Sequence, residues 1–194
     1  KPVVIASETV NSLEAEYQNI HQPLIDRCKR GDRKAQSELY NMYCKSMFSV
    51  SLRILGNAAD AEDAMQEAFL NCFTKMESYK VEVAFGAWLK KIVINKSLTN
   101  LKKNESRKTT GIESVAYKLA DEEEKDMGIG SDEKNEKVKL IIDAIQSLKE
   151  NYRVILNLSL FEGYDNEEIA EIMGISDENC RTTLSRAKSK LRSM

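Results

Sequence analysis

The chain has 194 residues, 42% apolar and 31% charged, with a formal net charge of −2. That much charge needs a large solvated surface, which favours two small units over one thick globule; two prolines and eight glycines are too few for a turn-rich sandwich or barrel. No apolar run approaches the ~20 residues of a membrane span, and Val3-Val4-Ile5-Ala6 is too short for a signal peptide, so membrane insertion is not expected and the chain is placed in the cytoplasm.

Residues 1–20 show weak periodicity and read as an N-terminal extension. Pro23 opens a helical pattern through Leu24, Ile25 and Cys28 that stops at Gly31-Asp32. Apolar residues then recur at spacings of three and four, at Ala35, Leu39, Tyr43, Met47, Val50 and Ile54, until Gly56-Asn57 ends the pattern. Asp60, with Asp63 three residues on, predicts the N-cap of a helix running to about Met76. After a loop from Ser78 to Val83, Phe85-Gly86-Ala87-Trp88 begins a helix that continues to about Lys103. Residues 105–136 lose periodicity and carry Thr109-Thr110-Gly111, Asp121-Glu122-Glu123-Glu124 and Gly128-Ile129-Gly130, the composition of a linker. Periodicity returns with Val138, Ile141, Ile142, Ile145 and Leu148. The expected fold is all-α, with small helical domains at 21–104 and 137–194 joined by an acidic linker over 105–136.

The four cysteines, Cys28, Cys44, Cys72 and Cys180, are far apart and form no CxxC pair, and His21 is the only histidine. They read as small buried hydrophobes in a reducing compartment. No metal site, catalytic triad, phosphate loop or dinucleotide fingerprint stands out, so no cofactor, metal or catalytic residue is expected and the chain is not read as an enzyme.

Charge is unevenly placed. Leu89–Lys108 carries six Lys and one Arg against Glu105, a local sum of +6. Leu119–Lys137 carries eight acids against three lysines, a sum of −5. Asn179–Met194 has five basic residues and no acid. Two basic patches on either side of an acidic stretch suit two nucleic-acid contact sites joined by a strap.

The last basic patch lies on a helix-turn-helix pattern. Asp165 and Glu168 have capping-box spacing, and the helix they open carries Ile169, Ala170, Ile172 and Met173. Gly174 can take the left-handed turn, and Ser176 caps a second helix with apolar Cys180, Leu184, Ala187 and Leu191. On that helix Thr182, Ser185, Arg186 and Ser189 share a face, with Arg181 beside them. Small hydroxyl side chains let a helix seat deep in a major groove, and guanidiniums reach phosphate or guanine. The first helix is acidic (Glu167, Glu168, Glu171) and is not expected to lie against phosphates.

In the N-terminal half, Ala61, Ala64, Met65, Ala68 and Cys72 form one core stripe at ~100° per residue. Glu62, Asp63, Gln66, Leu70 and Phe73 cluster opposite, either as a protein-docking face or as cover for a neighbouring helix. The helix from Trp88 buries Trp88, Leu89, Ile92 and Val93 in its first half and turns Ile94, Leu98 and Leu101 elsewhere in its second. Lys91, Asn95 and Lys102 fall within ~40° of one another. Such a strip can track phosphates with lysines and meet a base with an amide.

In this order the features resemble those of a bacterial extracytoplasmic-function sigma factor, the smallest class of RNA polymerase specificity subunit. Asp60-Ala61-Glu62-Asp63-Ala64-Met65-Gln66-Glu67-Ala68-Phe69 is similar to the family's core-polymerase-binding region 2.2. Phe85-Gly86-Ala87-Trp88-Leu89-Lys90-Lys91-Ile92-Val93-Ile94-Asn95 resembles regions 2.3 and 2.4. Glu162-Gly163-Tyr164, Glu168-Ile169-Ala170, Gly174-Ile175-Ser176 and Leu184-Ser185-Arg186-Ala187-Lys188 resemble region 4. The resemblance implies that Glu62, Asp63, Gln66, Leu70 and Phe73 bind the polymerase β′ clamp. It further implies that Lys91, Asn95, Thr99, Lys102 and Lys103 bind the −10 promoter element, with the loop from Ser78 to Phe85 and Asn95 capturing an unstacked base. It assigns the −35 element to Arg181, Thr182, Ser185, Arg186 and Ser189. The implied partners are the polymerase core (β′ clamp and β flap), promoter DNA and an anti-sigma factor. The acidic strap resembles the family linker, which implies that it threads the polymerase near the RNA exit path.

Two departures stand out. Thr183 replaces a usual basic residue, which removes or moves a DNA contact, and Asn179 and Cys180 replace the usual Thr and Val, which alters what the start of the helix reads. Two rival readings carry their own expectations: a stand-alone regulator binds a palindrome without polymerase, and a helical adaptor binds polymerase without starting transcription.

Overall fold

In a computed structural model, residues 21–81, 83–109 and 132–194 are described, with side chains described outside 106–109 and 132–136. The expected extension over 1–20, and most of the expected linker, lie outside the described residues. The chain separates into two compact units, Lys1–Leu52 with Ala59–Lys103, and Arg53–Ala58 with Asn104–Met194.

Helix α1 is described over 21–29, so it is already helical before Pro23. Helix α2, Arg33–Leu55, follows. Its start is fixed by Asp32, whose Oδ1 accepts from the amides of Lys34 and Ala35 at 2.9 and 3.2 Å. Arg27 pairs with the same carboxylate at 2.7 Å, and that contact holds the Asp32 carboxyl below its ordinary range. Helix α3 spans Ala58–Thr74. It begins three residues earlier than expected, which places Asp60 in the first turn, where a carboxylate favours the positive end of the helix dipole, and not at the cap.

The core stripe of α3 is buried as expected, and Phe69 joins it. Phe69 packs edge-on against Tyr40 of α2 at 4.8 Å between ring centroids. A 3-10 turn, Met76–Ser78, leads through a loop to α4, Phe85–Thr109. This helix outruns the expected end at Lys103, because a polar, lysine-rich sequence sustains a solvated helix once its first turns are packed. Leu89, Val93, Ile94, Leu98 and Leu101 of α4 are buried, whereas Trp88 and Ile92, expected inside, are only half-buried. Ser51 of α2 and Ser97 of α4 are fully buried and hydrogen-bond to each other at 2.9 Å. Two small side chains satisfying one another let α2 and α4 approach without a stranded polar group.

In the second unit, α5 spans Asp132–Ser147, α6 Glu150–Leu160, α7 Asn166–Met173 and α8 Asp177–Arg192. Helix α6 is the core element: Val154, Ile155, Leu156, Asn157 and Leu158 are buried, and α5, α7 and α8 each pack against it. Of the expected apolar stripe, α5 buries Ile145 and the bend just past its end buries Leu148, while Val138 and Ile141 stay exposed. Helix α5 has 16 residues against 11 in α6, so its partner covers less than its full length.

Candidate nucleic-acid interface

The α7–α8 corner is built from local chemistry. Asp165 Oδ1 accepts from the Glu168 amide, and Glu168 Oε2 accepts from the Asp165 amide, both at 2.9 Å. These reciprocal bonds satisfy two donors at the start of α7. Gly174 ends the helix at φ 68°, ψ 40°, and the Ile175 amide returns to the Ala170 carbonyl at 3.0 Å. A side chain at Gly174 would meet the steric cost of the left-handed region. Ser176 then accepts from the Asn179 amide at 3.3 Å and starts α8. The connection is therefore only Gly174-Ile175-Ser176, and both helix ends adjoining it are capped.

Cys180, Leu184 and Ala187 seat α8 on its neighbours. Opposite them Arg181, Thr182, Ser185, Arg186 and Ser189 are all exposed, so the structure brings the candidate −35 set onto the outer surface of one helix. The Arg181 guanidinium lies 3.8 Å from Asp177 one turn earlier. The charge gradient matches the helix dipole, with Asp177 and Glu178 in the first turn and Lys190 and Arg192 in the last. The acidic first turn confines the positive potential to the rest of the helix.

A second polar surface lies on α4. Lys91, Asn95, Thr99, Lys102 and Lys103 are all exposed. Thr99 Oγ1 donates to the Asn95 carbonyl at 2.8 Å, which fixes its rotamer. Lys103 stands ~100° further round than Lys102. Lys96, counted in the basic stretch, is turned away to pair with Glu67 of α3 at 2.5 Å.

The loop before α4 is pinned at its root. Tyr79 is buried, and its hydroxyl donates to the Val83 carbonyl at 2.7 Å. Its ring meets Phe85 at 5.4 Å and Trp88 at 5.3 Å. Lys29 of α1 donates to the Tyr79 carbonyl at 3.3 Å and lies 5.7 Å from the ring centroid. His21, Ile25, Tyr43, Tyr79, Ala84, Phe85 and Gly86 enclose a pocket of about 100 Å³ beside this cluster. A Cβ at Gly86 would stand 3.1 Å from the Tyr43 ring, tighter than ordinary van der Waals contact.

The third surface is the outer face of α3. Glu62, Asp63 and Gln66 are exposed, Leu70 is 67% exposed, and Phe73 is half-buried with its ring 6.0 Å from Phe69. Gln66 donates to Glu62 at 3.0 Å. Phe73 thus covers its own helix's core residue, and Leu70 is the apolar group presented outward. Among the described residues no group of three or more His, Cys, Asp or Glu is arranged to hold a metal, and no helix is long and apolar enough to cross a membrane.

Sequence reasoning missed one feature of α8. Thr183 Oγ1 donates to Asn179 Oδ1 at 3.1 Å, so the two departures noted from the family pattern are bonded to each other. Their i,i+4 spacing was a legible signal.

Comparison with known proteins covers both units. Residues 39–107 match the family model of sigma-70 region 2 and residues 139–191 that of sigma-70, region 4. The chain is 26% identical over 176 residues to the ECF RNA polymerase sigma factor SigW of Bacillus subtilis, spanning 87% of this chain and 92% of that protein. It is 28% identical over 177 residues to the RNA polymerase sigma-H factor of Pseudomonas aeruginosa, spanning 88% and 91%. Among solved structures, the fold is similar to that of the sigma factor RpoE from Bartonella quintana, crystallised with the anti-sigma factor NepR (TM-score 0.54, 20% identity, 81% of this chain and 94% of that one). It is also similar to that of CnrH in complex with the cytosolic domain of CnrY (TM-score 0.51, 16% identity, 88% and 94%). With both regions matched in order and relatives aligned over nearly their whole length, the chain belongs to the extracytoplasmic-function group of sigma-70 factors, the RNA polymerase subunits that initiate transcription.

Proposed function

We propose that the chain divides promoter recognition between its two units, residues 21–104 and 137–194, with 105–136 as the connecting strap. The outer face of α3, led by Glu62, Asp63, Gln66 and Leu70 with Phe73 beneath, docks on the β′ clamp. The α4 strip of Lys91, Asn95, Thr99, Lys102 and Lys103 binds the −10 element as it opens. The loop between Tyr79 and Phe85 helps hold an unstacked base. Unstacking costs a few kcal/mol per step, which binding of the freed strand must offset. Helix α8 reads the −35 element as duplex through Arg181, Thr182, Ser185, Arg186 and Ser189, and the unit that carries it also contacts the β flap.

The observation that carries this reading is the outer face of α8: small hydroxyls and arginines, all exposed, on a helix capped by Ser176 and set off by the Gly174 corner. Two linked weak sites gain effective concentration when polymerase holds them together, which suits a chain of net charge −2. The chain contributes no catalytic group of its own; the polymerase supplies the bond-forming chemistry in the cytoplasm. An anti-sigma factor is the expected antagonist, as NepR is found bound to RpoE.

The test is abortive initiation with purified core polymerase on genomic DNA fragments. Short RNAs starting at defined positions are expected only when chain and core are both present. Binding to core with no defined start, or palindrome binding without core, overturns the reading.

A further inference from the structure

Asn179 is exposed at the third helical position of α8, in the N-terminal turn that recognition helices aim at base edges. By helix geometry it lies ~60° from Thr182 and ~20° from Arg186, on the same outer surface. It is held twice. Its amide donates to Ser176 Oγ at 3.3 Å, and its side-chain Oδ1 accepts from Thr183 Oγ1 at 3.1 Å. A carboxamide has two donor hydrogens and two acceptor lone pairs. Thr183 uses one lone pair, which leaves both N–H groups and the second lone pair for another partner. That remainder matches the N7 acceptor and N6 donor of adenine in a major groove. An exposed Asn ordinarily loses rotamer freedom when it binds a base, and the Thr183 bond removes part of that loss beforehand.

We propose that Asn179 reads an adenine of the −35 duplex and that Thr183 is its positioning residue, so that the bonded pair sets the base preference at one position of the promoter. The proposal rests on α8 being the −35 reader.

The experiment uses the full chain with core polymerase and a pool of promoter DNAs randomised across the upstream element, with transcripts sequenced to score each position. The unsubstituted holoenzyme should favour adenine at one position. Asn179→Ala should erase that preference, a change of about 5- to 150-fold at that position and no other. Asn179→Asp, an acceptor-only group, should move the preference to cytosine, whose N4 donates. Thr183→Val, which keeps the shape and removes the hydroxyl, should weaken the adenine preference while leaving the helix content by circular dichroism unchanged. Arg186→Ala serves as the reference and should weaken selection at a different position. If Arg186→Ala changes the upstream selection but Asn179→Ala and Asn179→Asp leave every position as it was, the Asn179 assignment fails and α8 remains the reader. If the unsubstituted holoenzyme shows no upstream preference, both fail.

Discussion

Lys96 on α4 is ion-paired with Glu67 on α3 at 2.5 Å. The bond joins the helix proposed to follow the −10 strand to the helix proposed to meet the polymerase, and it commits Lys96 to the protein. Lys91, five residues earlier and ~140° round the helix, is exposed on the outer strip. Charge counting along the sequence treats the two lysines alike, whereas the fold gives them different work.

Lys91→Ala should therefore lower the salt dependence of holoenzyme–promoter affinity, reducing the slope of log K against log salt by about 0.7 to 0.9, the effect of one phosphate contact. Lys96→Ala should leave that slope unchanged. It should cost no more than about 1 kcal/mol of stability, because the Glu67 carboxylate is about half exposed. Promoter-binding titrations at several salt concentrations check both outcomes.

The division of labour proposed for α4 and α8 predicts opposite kinetic signatures. Asn95→Ala should slow promoter opening, followed by permanganate reactivity of unpaired thymines, with little change in closed-complex affinity. Arg186→Ala should weaken the closed complex by about 5- to 150-fold, the range of one good base contact, while complexes that do form open at the usual rate. A swap of these phenotypes would reverse the assignment of the two helices.

Gly174 and Asp165 make a stability prediction about the corner. Gly174→Ala places a Cβ in the left-handed region at φ 68° and should cost about 1 to 2 kcal/mol. Asp165→Ala removes the capping box and should cost about 1 kcal/mol. Urea unfolding followed by circular dichroism measures both. Arg186 is exposed, and Arg186→Ala should leave the unfolding midpoint in place, so that its promoter defect is separable from folding.

Burial predicts loss of stability in alkali. Desolvation pushes the Cys72 thiol up to about 12 and raises Cys28 and Tyr79 in the same unit. These groups prefer to stay protonated in the fold, and the unfolded thiol ionises near pH ~8.5. Their contribution is fully present below that pH and is lost as pH rises toward the folded values. Melting temperature should therefore hold steady from pH 6 to 8 and fall from about pH 9 upward, less steeply in Cys72→Ala. At neutral pH iodoacetamide should label half-buried Cys44 before Cys28, Cys72 or Cys180, which are buried.

What could be read from the chain was what depends on near neighbours. The Asp165–Glu168 box, the left-handed Gly174 and the Ser176 cap each rest on residues within three or four positions, and all three are present. The α3 stripe was likewise legible, because periodicity alone fixes one face of a helix. Features that depend on distant partners were not. Phe69 is buried with Tyr40 across from it, a partner periodicity on α3 does not reveal, and Ser51 and Ser97 are buried because each completes the other; as isolated letters the two serines read as solvated. Val138 and Ile141 erred the other way, apolar in pattern yet exposed. The outer positions of α4 and α8 were correctly placed on the surface, but the Asn179–Thr183 bond lay unread because pattern reasoning assigns faces and not rotamers.

The loop ahead of α4 is tied down at its stem by Tyr79, Phe85 and Trp88 and closed by the Tyr79–Val83 hydrogen bond, while Lys80, Val81 and Val83 stay exposed. A segment anchored this way behaves as an exchangeable cassette. Substitutions at its exposed positions should leave the hydrophobic interior undisturbed, so that the preference proposed for the melted strand can evolve independently of whether the protein folds.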